Sequence, residues 1–203
     1  MIQYFLERPY LILLMAALIV LTLFVCVKAG QASSRRSKEV EKIMKKLKEE
    51  NLLRNEFAVL TDSLIASSDS ARLFKGVALN LQKKVSDAAD MNAEFESFTS
   101  GQKMIYALSF VAEDGGEKLS EFFRANGQPL TGAALDAVRT LFDGRVTEIF
   151  EAEYNAFDSD NEEVSFVASE IEALDSDFAK VISAEELSAA SGRFIAENKD
   201  MFI

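Results

Sequence analysis

Between Glu148 and Glu186 the chain carries thirteen carboxylates against one cation, Lys180. Carboxylates at close spacing can hold a hard cation or share acid–base work on a glycosidic bond. The run Asp158-Ser159-Asp160-Asn161-Glu162-Glu163 alternates oxygen ligands as a calcium loop does, but its sixth position is Glu163 where a turn glycine is required. Its twelfth is Ser169, which cannot chelate as a bidentate Glu would. No Trp supplies a sugar platform, and the chain has no His and a single Cys, Cys26. An internal disulfide, a Cys/His zinc site and a nucleophile–His relay are therefore excluded. No catalytic residue, metal ligand or cofactor site is assigned, and the chain reads as a non-enzyme. What the acids offer instead is field. Such a surface repels nucleic acid and anionic lipid and speeds the encounter with a basic protein.

Elements that would carry these charges are legible from apolar spacing. Val164, Val167, Ile171 and Leu174 recur at intervals of three and four, and Ile149, Phe150, Tyr154 and Phe157 mark the helix before them. Disorder is therefore not the cause of the acidity, and sixteen Phe provide bulk for a core. Ser159 to Glu162 and Ser183 to Glu186 both read S-x-x-E, the signature of a capping box at a helix start. Asn126-Gly127 and Asp143-Gly144 read as helix stops, and Pro129 suits a turn between helices. Strand-like alternation is absent from the sequence, so the predicted class is all-α.

The N-terminal part has the opposite character. Tyr10 to Val27 is a run of eighteen residues without a charge, enough for a helix of about 27 Å that crosses a bilayer. Directly after it come Lys28, Arg35, Arg36, Lys38, Lys42, Lys45, Lys46 and Lys48 against Glu39 and Glu41, while Arg8 stands alone on the other side. The positive-inside rule then places the C-terminal side of the span in the cytoplasm. The small residues Ala29, Gly30 and Ala32 also permit cleavage of a secretory signal, although the apolar run is longer than such signals need. The expected layout is a short extracytoplasmic tail at 1–9, a single transmembrane helix at 10–28, a basic juxtamembrane linker and helical stalk at 29–66, and an acidic helical domain at 67–203.

Within the stalk Val40, Ile43 and Leu47, then Leu53, Phe57, Leu60 and Leu64, keep helical time, with a lapse at Glu50 and Asn51. Homodimerisation through a coiled coil is one arrangement this allows, and contact of the basic half with anionic headgroups is another. From residue 49 onward thirty acidic residues face thirteen basic ones, a formal charge of −17, so the whole-chain value of −11 averages two opposed regions.

From "MIYALSFVAEDGGEKLSEFFRANGQPLTGAALDAVRTLFDGRVTEIFEAEYNAF" and "ALDSDFAKVISAEELSAASGRFIAENKDMF", about residues 102 to 202, the chain resembles the DNA-mimic protein family. The resemblance lies in the order of features: a helix running into Gly115-Gly116, the pair Phe122-Phe123, Asn126-Gly127, a helix pair broken at Gly144, and Leu174-Asp175 with Asp177-Phe178 before a last helix. Five residues, Glu117, Lys118, Leu119, Ser120 and Glu121, intervene where the family places its aromatics directly after the glycines. The resemblance implies a small acidic helical domain that occupies the DNA-binding face of a basic regulator.

The expected binding face comprises Glu148, Glu151, Asp158, Asp160, Glu162, Glu163, Glu170 and Glu172, and the basic cluster Arg35, Arg36, Lys38, Lys42, Lys45 and Lys46 sets topology. Expected partners are a basic protein, either a DNA-binding regulator or a cationic toxin, and the lipid bilayer, with no direct contact to nucleic acid. A structural subunit of a membrane complex is the remaining reading.

Overall fold

The computed structural model describes Thr22 and residues 38–116, 118–157 and 169–203. The span expected at 10–28, the tail at 1–9 and the cluster members Arg35 and Arg36 lie outside these, Thr22 excepted. Among the described residues no helix is long and apolar enough to cross a membrane. The chain divides into two units, Met1–Glu49 and Glu50–Ile203. The first is helical throughout residues 38–49.

All regular structure among the described residues is helical. The second unit opens with α1, residues 50–56. It continues with α2 (Asp62–Ser67), α3 (Ser70–Asp87), α4 (Met91–Ser97), α5 (Ser100–Asp114), α6 (Leu119–Ala125), α7 (Leu130–Leu141), α8 (Arg145–Ala156), α9 (Ser169–Val181) and α10 (Ala184–Glu197), then a single 3₁₀ turn at Lys199–Met201.

Side chains that accept from first-turn amides start most of the early helices. Thr61 caps α2, Asp69 caps α3 through a 2.8 Å bond from the Arg72 amide, and Asp90 caps α4. Reciprocal capping boxes start α5, between Thr99 and Gln102, and α10, between Ser183 and Glu186. At the second of these the Glu186 amide donates to Ser183 Oγ at 3.2 Å, and the Ser183 amide donates to Glu186 Oε2 at 2.8 Å. The bond from the Ser183 amide, and after it one from the Ser183 hydroxyl to Glu186 Oε2 at 2.9 Å, hold the Glu186 carboxyl below its usual range. Ser183→Ala removes the acceptor for the Glu186 amide and is expected to cost about 1 kcal/mol. Urea denaturation with an unchanged midpoint would count against that role.

Helix α5 runs through the middle of the core: Ile105, Ala107 and Leu108 are fully buried, with α3, α6, α7 and α10 against it. Aromatic rings fill the side next to α8 and α9. Phe122 and Phe123 of α6 stand 5.1 Å apart, Phe123 reaches Phe150 of α8 at 5.3 Å, and Phe150 reaches Phe178 of α9 at 6.1 Å. Such tilted and edge contacts fix helix orientation beyond what area burial gives. Asn126 ends α6, the Gln128–Pro129 peptide is cis and lies before α7, and Gly144 precedes α8.

Residues 50–66 differ from the stalk expected there. Leu53, Phe57 and Ile65 are buried in the core of the second unit, and Leu60 and Leu64 pack against it. The Phe57 ring lies over Gly76 of α3, so closely that a Cβ on Gly76 would stand 2.4 Å from the ring. Asn80 Nδ2 donates to the Arg54 carbonyl and to the Gly76 carbonyl, each at 3.0 Å, which ties α1 to α3. The lapse at Glu50 and Asn51 has a physical reason. Before it the apolar stripe faces solvent, with Ile43 57% exposed, and after it the stripe faces the core, with Phe57 1% exposed.

Candidate functional site

Helices α8 and α9 pack side by side and carry the described members of the acidic face. Glu148 is exposed on the first turn of α8, and Glu170 and Glu172 are exposed on the first turn of α9. Acids at these positions complement the partial positive charge of a helix N-terminus. None of the three makes an ion pair among the described residues. Glu151, one turn beyond Glu148, is instead held by Arg139 of α7, whose Nε donates to Oε1 at 2.5 Å. Asp177 of α9 accepts from Lys180 Nζ at 3.0 Å and from Arg145 Nη2 at 3.1 Å. The hydrogen bond and charge of Lys180 lower its carboxyl pKa, with Arg145 adding to the effect. Local cations thus neutralise Glu151 and Asp177 and leave Glu148, Glu170 and Glu172.

Asp158, Asp160, Glu162 and Glu163 lie outside the described residues, as do the calcium-like run and the Ser159 capping box. Of the basic cluster, Lys38, Lys42, Lys45 and Lys46 fall on the helical residues of the first unit, where Lys45 pairs with Glu49 at 3.9 Å. Among the described residues no group of three or more His, Cys, Asp or Glu could hold a metal ion.

Two acids counted with the surface charge are in the interior. Glu153 of α8 is fully buried and Asp175 of α9 is 7% exposed. Asp175 takes the place of a missing cap. Helix α6 begins after Lys118 without a side-chain cap, and the Ser120 amide donates to Asp175 Oδ1 at 2.8 Å while Ser120 Oγ donates to Oδ2 at 2.7 Å. A carboxylate from another helix therefore satisfies a first-turn amide that would otherwise be buried without a partner.

Among the described residues no donor reaches either oxygen of Glu153. Its pKa is pushed up to about 9, first by burial, then by the negative charge of Asp175 and by a hydrogen bond between the two carboxyls. Near neutral pH Glu153 is protonated, and its own O–H is the donor toward Asp175. The neighbouring cavity, lined by Asp175, Gly115, Phe178 and Leu187 among others, measures about 30 Å³, room for a water molecule and not for a substrate. This pair is a structural joint between α6, α8 and α9.

Periodicity contained the signal for it. Glu153 follows Ile149 and Phe150 by four and three positions, and Asp175 lies four after Ile171 and three before Phe178. Both therefore sit on apolar stripes.

Two shallow hollows flank Gln128. One of about 180 Å³ is lined by Phe123, Asn126, Thr131 and Tyr154, and Gln128 Nε2 donates to Tyr154 Oη across it at 2.7 Å. The other, about 230 Å³, is lined by Val85, Met91, Phe95, Tyr106 and Pro129. Both fall below the usual volume of a small-molecule site, roughly 300 Å³ upward. Compared with known proteins, the chain matches no family model, no curated protein and no solved structure.

Proposed function

We propose that the chain is a membrane-anchored, non-enzymatic interaction protein. Its acidic helical domain binds a basic protein on the cytoplasmic side, as a DNA mimic toward a DNA-binding regulator. The observation that supports this reading is the sorting of charge on α8 and α9. Glu148, Glu170 and Glu172 stay exposed, with no ion pair among the described residues, on helices braced from behind by the Phe122, Phe123, Phe150 and Phe178 rings. Duplex DNA carries a charge about every 1.7 Å of its axis, so a surface that stands in for it needs carboxylates on rigid elements.

The test uses the full-length chain in detergent and the variant Glu148→Gln/Glu170→Gln/Glu172→Gln. A basic partner is expected to be retained at about 0.15 M salt, displaced by added duplex DNA, and bound about tenfold more weakly by the variant. Retention of a cationic toxin that DNA does not displace would replace the DNA-mimic reading with toxin neutralisation. Membrane subunits recovered equally by chain and variant would point to a structural role and remove the acidic face from the binding surface.

A further inference from the structure

The helical residues 38–49 present Val40, Ile43, Met44 and Leu47 to solvent, at 51%, 57%, 61% and 48% exposure. At 100° per residue these four fall within about 100° of arc, a narrow apolar face. Lys38, Lys42 and Lys45 lie on the opposite side, while Lys46 and Lys48 border the apolar face together with Glu39 and Glu41. Five lysines against three glutamates over residues 38–49, with Lys46 and Lys48 close enough to the apolar face to extend toward phosphates, fit a lipid–water boundary.

A second copy of the chain fits this face less well. Four apolar residues over two turns fall short of the three to four heptads a stable coiled coil needs, and Glu50 and Asn51 interrupt the seam beyond them. Position on the chain favours the bilayer further. If residues 10–28 cross the membrane, the nine residues 29–37 hold the helix within about 32 Å of the inner surface.

We propose that residues 38–49 lie along the anionic inner surface of the bilayer, with Val40, Ile43, Met44 and Leu47 among the acyl chains, the flanking Lys46 and Lys48 at the lipid phosphates, and Lys38, Lys42 and Lys45 on the water side, where they add to the attraction at longer range. This rests on the anchored reading above and adds a docking surface to it. The helix is then a second, electrostatically adjustable attachment placed between the anchor and the acidic unit.

The chain contains no Trp, so a single indole reports its own surroundings. The full-length chain is reconstituted as Ile43→Trp, as Met44→Trp, and as Lys42→Trp for the opposite side. The vesicles are phosphatidylcholine with or without phosphatidylglycerol, and their acyl chains carry bromine. Ile43→Trp and Met44→Trp are expected to shift to the blue and lose most of their emission in the anionic vesicles, while Lys42→Trp stays solvent-like and unquenched. Replacing Lys42, Lys45, Lys46 and Lys48 with Gln in the Ile43→Trp chain should restore much of the emission.

Blue-shifted but unquenched emission at Ile43→Trp would overturn the proposal in favour of a second copy covering the face. Solvent-like emission at both Ile43→Trp and Met44→Trp would overturn it in favour of a solvated helix. Flotation reads the anchor separately: chains that float while their indoles stay solvent-like refute only the docked helix, and chains that fail to float refute the anchor as well.

Discussion

Gly192→Ala is expected to destabilise the second unit by about 3 kcal/mol and lower its melting temperature by roughly 10 °C. In an ordinary helix interior the same change helps, because alanine loses less backbone freedom on folding. Here α10 crosses α3 at backbone contact. A Cβ on Gly192 would stand 1.8 Å from the Ser70 carbonyl oxygen and 2.4 Å from its carbonyl carbon. Neither atom can turn aside as a side chain can, so the two helices must separate, and Leu187 and Ile195 lose part of their burial with them. Gly76→Ala makes a useful comparison. Its Cβ would meet the base of the Phe57 ring, which is itself fully buried and has little room to turn aside, so a loss of the same order is expected. Thermal unfolding followed by circular dichroism decides it, and a Gly192→Ala protein as stable as its parent would mean that α10 and α3 can separate without cost.

Glu153→Gln should change the pH dependence of stability more than any other conservative substitution in the unit. Glu153 titrates near 9 when folded, against an ordinary value of 4.5. The folded state therefore holds the proton more tightly. Stability from this group is fully present below about pH 4.5 and is lost as pH rises toward 9. Between pH 4.5 and 7 the loss is on the order of 3 kcal/mol.

Asp175 of α9 is the charge that acts on Glu153. Ser120 of α6 is bonded to Asp175, and Arg139 of α7 is held by Glu151 on the outer side of α8. A glutamine keeps the shape, offers Asp175 an N–H donor and does not titrate. Parent and variant should be equally stable near pH 4.5 and diverge in favour of the variant up to pH 8. General repulsion among the surface acids also weakens the fold as pH rises, but it acts on both proteins and cancels in the difference. Parallel curves for the two would mean that Glu153 is ionised in the folded state.

Local signals in the sequence carried over into the structure, and signals that need a distant partner did not. The box at Ser183 and Glu186 is a matter of three residues' spacing, and the helix it predicts begins at Ala184. Asn126 and the turn at Pro129 are local in the same way. The joint between Ser120 and Asp175 spans 55 positions, and for Glu153 and Asp175 the helical phase, which puts them on the apolar stripes of α8 and α9, outweighs the charge that would place them at the surface. Gly192 had no signal at all, since what makes it necessary is the Ser70 backbone, 122 positions away along the chain. The start of the compact unit at Glu50 instead of residue 67 was foreshadowed by the broken stripe, but only burial shows which side of the break faces inward. For the acidic face, Glu148, Glu170 and Glu172 were legible as exposed acids, while the pairing of Glu151 with Arg139 depends on how α7 meets α8.

A carboxylic acid that stays neutral inside the fold has a thermodynamic corollary. Near neutrality the unfolded chain releases a proton that the native chain retains, so collapse draws one from the buffer. The heat of folding then contains the buffer's ionisation enthalpy, and calorimetry in phosphate and in Tris will give different totals for the same transition. It also makes the native acidic region one unit less negative than the −17 that residue types alone assign to it.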